Sequence, residues 1–193
     1  MYHITIISSS IRTGRKSHNV ALYLQNYIVE NKLGTVELLD LKSYNFPLFE
    51  ERLQFQEKPK IATLEFAEKI KSSDGIIMVT PEYNGGFPAS LKNVIDLLYA
   101  EWEHKPIGIS TVSAGEYAGS QALIFLQFLL WKIKAFTIPA TFPIAKVQEE
   151  FDNLGNALHK SQTDEMASVF IKELLWTVKL TKKEYYQSDV IRF

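Results

Sequence analysis

The order of secondary structure is clearest in residues 75–99, which read GIIMVTPEYNGGFPASLKNVIDLLY. Residues 75–80 form an apolar run, which is typical of a strand buried on both faces of a sheet. Residues 81–88 contain two prolines and two glycines, which predict a turn-rich loop. Residues 90–99 carry apolar side chains at helical spacing and predict a helix. This stretch is therefore one strand–loop–helix unit of an α/β fold.

The same order repeats along the rest of the chain. Further strands are predicted at residues 4–8, 35–41, 106–112 and 136–142, and further helices at 17–28, 61–71, 121–133 and 166–178. Residues 42–59 predict a long connection with little regular structure. Strands that alternate with helices form a parallel sheet that is covered on both faces. We therefore expect an α/β protein with a central parallel five-stranded sheet, built as a single domain over residues 1–193.

Charge and hydropathy exclude several classes of protein. Lys and Arg number 21 against 22 Asp and Glu, so the whole chain has no electrostatic reason to bind nucleic acid or an anionic membrane. The longest apolar stretch, residues 122–131, is about half the ~20 residues that a bilayer-spanning helix needs. The first residues, MYHITIISSS, lack the basic region of a secretory signal, so we expect a cytoplasmic location.

The absence of cysteine limits the chemistry further. Without cysteine the chain has no disulfide framework, no thiolate metal site and no cysteine nucleophile. The four histidines are too scattered to form a zinc-binding helix, and we predict no metal site. If the protein carries out redox chemistry, a bound cofactor must therefore carry the electrons.

Three loops of unusual composition follow the carboxyl ends of predicted strands. They span residues 8–17, 81–88 and 113–119, and we call them the first, second and third loops. In an open α/β sheet, ligands bind outside the carboxyl ends of the strands, near the point where the strand order reverses. We therefore expect the three loops to lie side by side around one ligand site.

The first loop, SSSIRTGRKS, combines hydroxyl groups with basic side chains at a strand-to-helix junction. A helix N-terminus with an adjacent guanidinium, here that of Arg12, favours a phosphate ligand. The loop contains neither the P-loop motif nor the G-x-G-x-x-G fingerprint, which favours a single terminal phosphate over a triphosphate or pyrophosphate. The alternative is an ordinary loop in which Ser17 caps the helix.

The second loop has the composition of a ring-binding turn. Gly85 and Gly86 allow the backbone to approach a ligand closely, and prolines stiffen both ends of the loop. Tyr83 can stack on a flat ring, and the backbone N–H groups of residues 84–86 can face ring heteroatoms. A rigid turn with a packed tyrosine explains this composition equally well.

Residues 81–96 resemble the P-E-Y-N-x-x-x-P-x-x-L-K-N-x-I-D signature of the NADPH-dependent FMN reductase family. The first loop is similar to the family's G-S-x-R…S phosphate loop, with Ser9 in place of the glycine. The third loop, SAGEYAG, is similar to its S-x-G-x-x-G-G segment, with Ala118 in place of a glycine. The resemblance covers residue 2 to about residue 145. It implies a flavodoxin-like three-layer sandwich, with helices on both faces of the sheet.

The resemblance also implies roles for residues in each loop. Those that would bind the FMN phosphate are Ser10, Arg12, Ser17 and Asn19. Those that would line the flavin ring are Pro81, Glu82, Tyr83, Asn84 and Gly85, with Ser113 and Gly115 at its pyrimidine edge. Glu82 is alternatively structural, accepting hydrogen bonds from amides of its own loop. No side chain is predicted to be catalytic, because the flavin carries the chemistry.

The function that the resemblance implies is hydride transfer from NAD(P)H through bound FMN to a small flat acceptor, such as a quinone, free flavin or azo compound. Two alternatives are a non-enzymatic flavodoxin-like electron carrier and an FMN-binding regulatory module. The near-neutral charge argues against the carrier, which usually docks through a charged surface. The predicted helices carry apolar clusters at residues 97–99 and 125–131, which favour a homodimer or homotetramer. The alternative is that these side chains fill the core of the monomer.

Overall fold

Five parallel strands in the order β2-β1-β3-β4-β5 form the centre of the protein. The structure is a computed structural model. The structure describes residues 1–187. The strands are β1 (His3–Ser8), β2 (Thr35–Asp40), β3 (Gly75–Pro81), β4 (Pro106–Val112) and β5 (Phe136–Thr141). The helices are α1 (Ser17–Glu30), α2 (Leu41–Tyr44), α3 (Ile61–Ser72), α4 (Ala89–Leu97), α5 (Ser120–Lys132), α6 (Val147–Glu150) and α7 (Lys160–Gln187).

The core consists of two apolar layers, one on each face of the sheet. Alternate residues of a strand point to opposite faces. Ile6 and Ile77 therefore pack in the layer beneath α1 and α7, whereas Ile7 and Met78 pack beneath α3, α4 and α5. Every residue of β3 and β4 is buried, which accounts for their continuous apolar sequences.

The strand order places the loops that follow β1, β3 and β4 at one edge of the sheet. β1 lies between β2 and β3, and in register Ser8 pairs with both Asp40 and Val79. Pro81 pairs with Val112 at the end of β4. The order of the strands reverses between β1 and β3, and this is the position at which open α/β sheets bind ligands.

The predicted five-stranded parallel sheet with helices on both faces is confirmed. The predicted second strand ends one residue early because Asp40 caps α2, where its side chain accepts a hydrogen bond from the N–H of Lys42 at 3.0 Å. The prediction that Ser17 caps α1 is wrong. The cap residue is Lys16, and it makes no side-chain capping hydrogen bond.

The long C-terminal helix covers one face of the sheet through Phe170, Leu174 and Val178, which are fully buried. None of the helices within residues 1–187 combines the length and apolar content needed to cross a lipid bilayer.

Candidate active site

The three loops enclose a cleft of about 170 Å³ at the carboxyl edge of the sheet. The first loop contributes Arg12, Gly14, Arg15, Lys16 and Ser17, and the second contributes Glu82 and Tyr83 after Pro81 of β3. The lining also includes Val112 of β4, Ser113 and Ala114 of the third loop, and Val147 and Gln148 of α6. The expected meeting of the loops is therefore observed, whereas α6 joins the site without any motif that predicts it.

The N-terminus of α1 opens into this cleft without a side-chain cap. The first N–H groups of a helix have no partner within the helix. The Oγ of Ser17 and the Nδ2 of Asn19 are also buried, and neither has a hydrogen-bond partner within residues 1–187. Arg12 is exposed and lines the same cleft. Amide, hydroxyl and guanidinium donors form the set that binds a phosphate, so these residues fit the phosphate of FMN.

Ser10 connects the first loop to the second. Its hydroxyl shares a hydrogen bond of 2.7 Å with the hydroxyl of Tyr83, and it also accepts a hydrogen bond from the N–H of Arg12 at 3.3 Å. The Tyr83 ring is therefore held relative to the first loop. This connection joins one residue expected at the phosphate to another expected at the flavin ring.

Arg15 of the first loop pairs with Asp40 at the end of β2. Burial alone would raise the pKa of the Asp40 carboxyl. The hydrogen bonds from Arg15 and from the N–H of Lys42 outweigh that effect and hold this pKa below its ordinary value. Arg15 belongs to the first loop but is not among the residues expected at the phosphate, and Asp40 lies outside all three loops.

The second loop makes a two-residue turn at Asn84 and Gly85. Their φ angles are +51° and +79°, the left-handed pair that a type I′ turn requires. Tyr83 donates its N–H to the carbonyl of Gly86 at 2.7 Å, and Gly86 donates back at 3.1 Å. The expectation that the Gly86 N–H faces a ligand is therefore wrong, because the turn itself uses that group.

Glu82 stabilises the start of α5. Its carboxylate accepts hydrogen bonds from the N–H groups of Gln121 at 3.0 Å and Ala122 at 3.1 Å. A carboxylate at a helix N-terminus satisfies free amides and complements the helix dipole. The alternative that Glu82 is structural has this geometry in its favour, but its predicted partners are wrong: the amides belong to α5 and not to its own loop.

The third loop is held by the segment that follows β5. The N–H of Ser113 donates to the carbonyl of Ile144 at 2.9 Å, and its Oγ donates to the carbonyl of Gly115 at 2.8 Å. A Cβ added to Gly115 would meet nothing within 4 Å, so the backbone there faces open space. Ala118 keeps a left-handed φ of +50°, which a glycine adopts without strain. Ala118 therefore has a backbone conformation that favours the glycine usual in the family.

His18 lies half-buried beneath the first loop, where its Nδ1 hydrogen-bonds the Oγ of Ser8 at 3.0 Å. Burial lowers the pKa of His18, and the nearby charge of Arg15 lowers it further. A neutral imidazole is therefore favoured beside the phosphate-binding residues.

Comparison with known proteins identifies the family. The sequence model described as NADPH-dependent FMN reductase matches residues 2–149. This chain belongs to the NADPH-dependent FMN reductase family. An NAD(P)H-dependent FMN reductase of Saccharomyces cerevisiae is 32% identical over 145 residues, which make up 68% of this chain and 74% of the relative. A quinone reductase of Pseudomonas putida is 28% identical over 195 residues, covering 94% of this chain and 97% of the relative.

The fold of this FMN reductase family member is also found in solved structures. A flavoenzyme NAD(P)H:(acceptor) oxidoreductase from Paracoccus denitrificans superposes with a TM-score of 0.74 at 21% identity. The match covers 93% of this chain and 98% of that one, which supports the flavodoxin-like architecture. Family membership makes the protein an NAD(P)H-dependent flavin oxidoreductase with FMN as its cofactor.

Proposed function

We propose that this FMN reductase passes hydride from NAD(P)H through FMN to a small flat acceptor of the quinone, free flavin or azo class. The observation that carries the proposal is the uncapped N-terminus of α1, which brings the buried Ser17 Oγ, without a partner among the described residues, into the cleft that Tyr83 also lines. The Nδ2 of Asn19, which also lacks a partner among the described residues, lies two residues further along the same helix. FMN, when bound, supplies the hydride chemistry, so the chain needs only to bind, orient and shield the reactants.

The proposed roles follow the positions of the residues around the cleft. Arg12 and Ser17, which line the cleft, bind the phosphate together with Asn19 of α1. Ser10, whose hydroxyl holds that of Tyr83, borders the same group. The flavin ring lies against Pro81, Tyr83, Asn84 and Gly85, with Ser113 and Gly115 at its pyrimidine edge. Glu82 acts on the ring site indirectly, by fixing the second loop to α5.

The acceptor class is tested by steady-state oxidation of NADPH and of NADH by the FMN-loaded protein. A quinone, an azo dye and free FMN are supplied in turn as the acceptor. We expect multiple turnovers with at least one acceptor and no protein partner. An FMN-loaded protein that turns over with none of them contradicts the proposal and favours an electron carrier or a regulatory module.

The phosphate site is tested by Arg12→Ala. Loss of a charged hydrogen-bond donor should weaken FMN binding by about 1.5–3 kcal/mol while riboflavin binding stays the same. Arg52→Ala is the matched control, because that guanidinium lies 4.7 Å from the Tyr99 ring centroid and does not line the cleft. An unchanged FMN dissociation constant in Arg12→Ala would remove this loop from the phosphate site.

We also propose a homodimer or homotetramer that buries one face of α5. Ile124, Phe125, Phe128 and Trp131 are 60–67% exposed on this helix, an aromatic surface of the kind that marks interfaces. Leu97 and Leu98, which were expected to contribute, belong to the core instead. Light scattering should give at least twice the 22.1 kDa mass of the chain; a monomeric mass at micromolar concentration refutes the assembly. One domain over residues 1–193 and a cytoplasmic location complete the proposal.

A further inference from the structure

The conformation of the first loop depends on side chains more than on its own backbone. Apart from the N–H of Ser9, which donates to the carbonyl of Val79 at 3.1 Å, residues 9–15 donate no main-chain hydrogen bond to another main-chain group. The loop therefore needs another source of order if it is to present donors to a phosphate.

Arg15 supplies that order. Its Nη1 donates to the carbonyl of Ser10 at 2.6 Å, which closes the loop across five residues. Nη1 and Nη2 also donate to the two carboxylate oxygens of Asp40, each at 2.5 Å. Asp40 in turn accepts the N–H of Lys42, so the carboxylate is anchored at the junction of β2 and α2. This fork-shaped contact restrains both the position and the orientation of the guanidinium.

The two arginines of the loop differ in what remains available for a ligand. The side chain of Arg15 is 11% exposed, and a carboxylate that is itself 20% exposed offsets its charge. Both arginines line the cleft, but Arg12 is the one that is exposed to solvent. The loop thus holds one arginine committed to the protein and one directed to the ligand site.

We propose that Arg15 is a positioning residue, which acts with Asp40 to hold the first loop in the conformation that presents Arg12 and Ser17 to the FMN phosphate. This inference rests on the phosphate site of the proposed function. The competing role is direct contact of Arg15 with the phosphate. The two roles predict opposite effects on FMN affinity when the Asp40 carboxylate is neutralised. If Arg15 positions the loop, the loop loosens and FMN binds more weakly. If Arg15 contacts the phosphate, its charge is no longer offset and FMN binds as well or better.

The experiment measures FMN release on dilution of the holoenzyme, from the fluorescence of the freed flavin, together with exchange of the bound FMN against riboflavin. Asp40→Asn and Arg15→Met should each weaken FMN binding about tenfold, the lower end for a hydrogen bond to a charged group. The double variant should bind FMN no more weakly than whichever single variant has the lower FMN affinity, because both changes remove the same contact. Riboflavin binding should stay within twofold, roughly the error of such a comparison.

Glu37→Gln is the matched control. Glu37 lies on β2, the same strand as Asp40, and pairs with Lys69 of α3. Glu37 does not line the cleft, so the loss of this ion pair should leave FMN binding unchanged. Arg15→Lys keeps the positive charge but lacks the fork that reaches both Ser10 and Asp40. It should weaken FMN binding as much as Arg15→Met does, whereas a direct ligand would keep part of its affinity through the lysine charge. Arg15→Lys therefore decides the question if Asp40→Asn does not fold.

Unchanged or tighter FMN binding in Asp40→Asn would overturn the inference and make Arg15 a direct ligand. Equal losses of FMN and riboflavin affinity would also overturn it, because they would indicate general damage to the fold. Arg12→Ala separates the two levels: if it binds FMN normally, the proposed phosphate site itself fails. If Arg12→Ala weakens binding while Asp40→Asn and Arg15→Lys do not, only the positioning role fails.

Discussion

The amino and carboxyl edges of the central sheet differ in whether their polar side chains have hydrogen-bond partners. At the amino edge, the Nζ of Lys105 donates to the carbonyls of Lys71 at 2.6 Å and Ser73 at 2.5 Å. Asp74 accepts the N–H of His3 at 2.8 Å and also pairs with Lys182. At the carboxyl edge, the polar atoms that are buried without a partner in the described part of the chain include Ser9 Oγ, Ser17 Oγ and Asn19 Nδ2.

This difference separates stability from binding. A buried donor or acceptor without a partner costs about 1–3 kcal/mol, so a fold retains such groups only at a cost to its stability. At the amino edge, the polar contacts hold the fold together. At the carboxyl edge, the buried polar atoms without a partner among the described residues fit the ligand site that we propose. Substitutions at the amino edge should therefore lower the free energy of unfolding, and those at the carboxyl edge should lower FMN affinity.

The largest effect is expected for Lys105→Met. The change removes two charged hydrogen bonds, so the free energy of unfolding should fall by about 3 kcal/mol, with FMN affinity unchanged. Urea unfolding and FMN release measure the two quantities. Lys71→Met, at an exposed position of the same edge, is the control. If Lys105→Met loses FMN affinity but keeps its full free energy of unfolding, the proposed difference between the two edges is contradicted.

Glu82→Ala tests a carboxyl-edge residue that does have partners. Removing its contacts to the start of α5 should lower the free energy of unfolding by about 1 kcal/mol, the usual cost of losing a helix cap. FMN affinity should fall as well, because the second loop loses its attachment. Glu82→Gln retains an acceptor and should recover most of both losses. If stability is unchanged while FMN is lost, Glu82 contacts the flavin directly.

Ser17→Ala should move the two quantities in different directions. The hydroxyl has no partner, so its removal should leave the free energy of unfolding unchanged or slightly higher. FMN binding should weaken by about 1 kcal/mol, the typical value of one hydrogen bond. Ser90→Ala is the matched control, because that hydroxyl donates to the carbonyl of Ser9 at 2.6 Å and its loss should destabilise the fold. Destabilisation of Ser17→Ala to the same extent would contradict the comparison.

The smallest effect concerns pH. The pKa of His18 is lowered in the folded protein, so the unfolded chain binds the proton more tightly than the folded one. The contribution of His18 to stability is therefore fully present above its unfolded pKa of about 6.5 and declines as the pH falls below that value. His18→Asn should flatten the slope of unfolding free energy against pH in that range. His159→Asn, at an exposed position, is the control; an identical slope in wild type and His18→Asn would refute this account.

The sequence predicted those features that depend on local signals. The apolar runs of β3 and β4 and the Asn84–Gly85 turn are encoded by adjacent residues, and the strand order then brings the loops together. The Arg15–Asp40 pair joins residues 25 positions apart and carries no local signature. The same holds for Gln148, which lies in the cleft because α6 packs against the third loop.

The cap of α1 shows a different limit of sequence analysis. A serine before an amphipathic run is the usual sign of a capping residue, but here the backbone becomes helical at Ser17 itself and Lys16 takes the cap position. Ser17 is thus the first residue of the helix and not its cap. Its hydroxyl therefore does not cap the helix and has no partner among the described residues. Local propensity does not distinguish these outcomes, because the path of the first loop is set by contacts with β2 and the second loop.

The Arg15–Asp40 pair also has a consequence for how the site is encoded along the chain. Every residue assigned to the phosphate, together with the carboxylate that restrains the loop, lies between Ser10 and Asp40. The residues assigned to the ring begin only at Pro81 and extend to Gly115. During translation, all residues assigned to the phosphate are therefore synthesised about 40 residues before the first residue assigned to the ring. At ordinary rates of synthesis this interval is roughly 2–8 seconds.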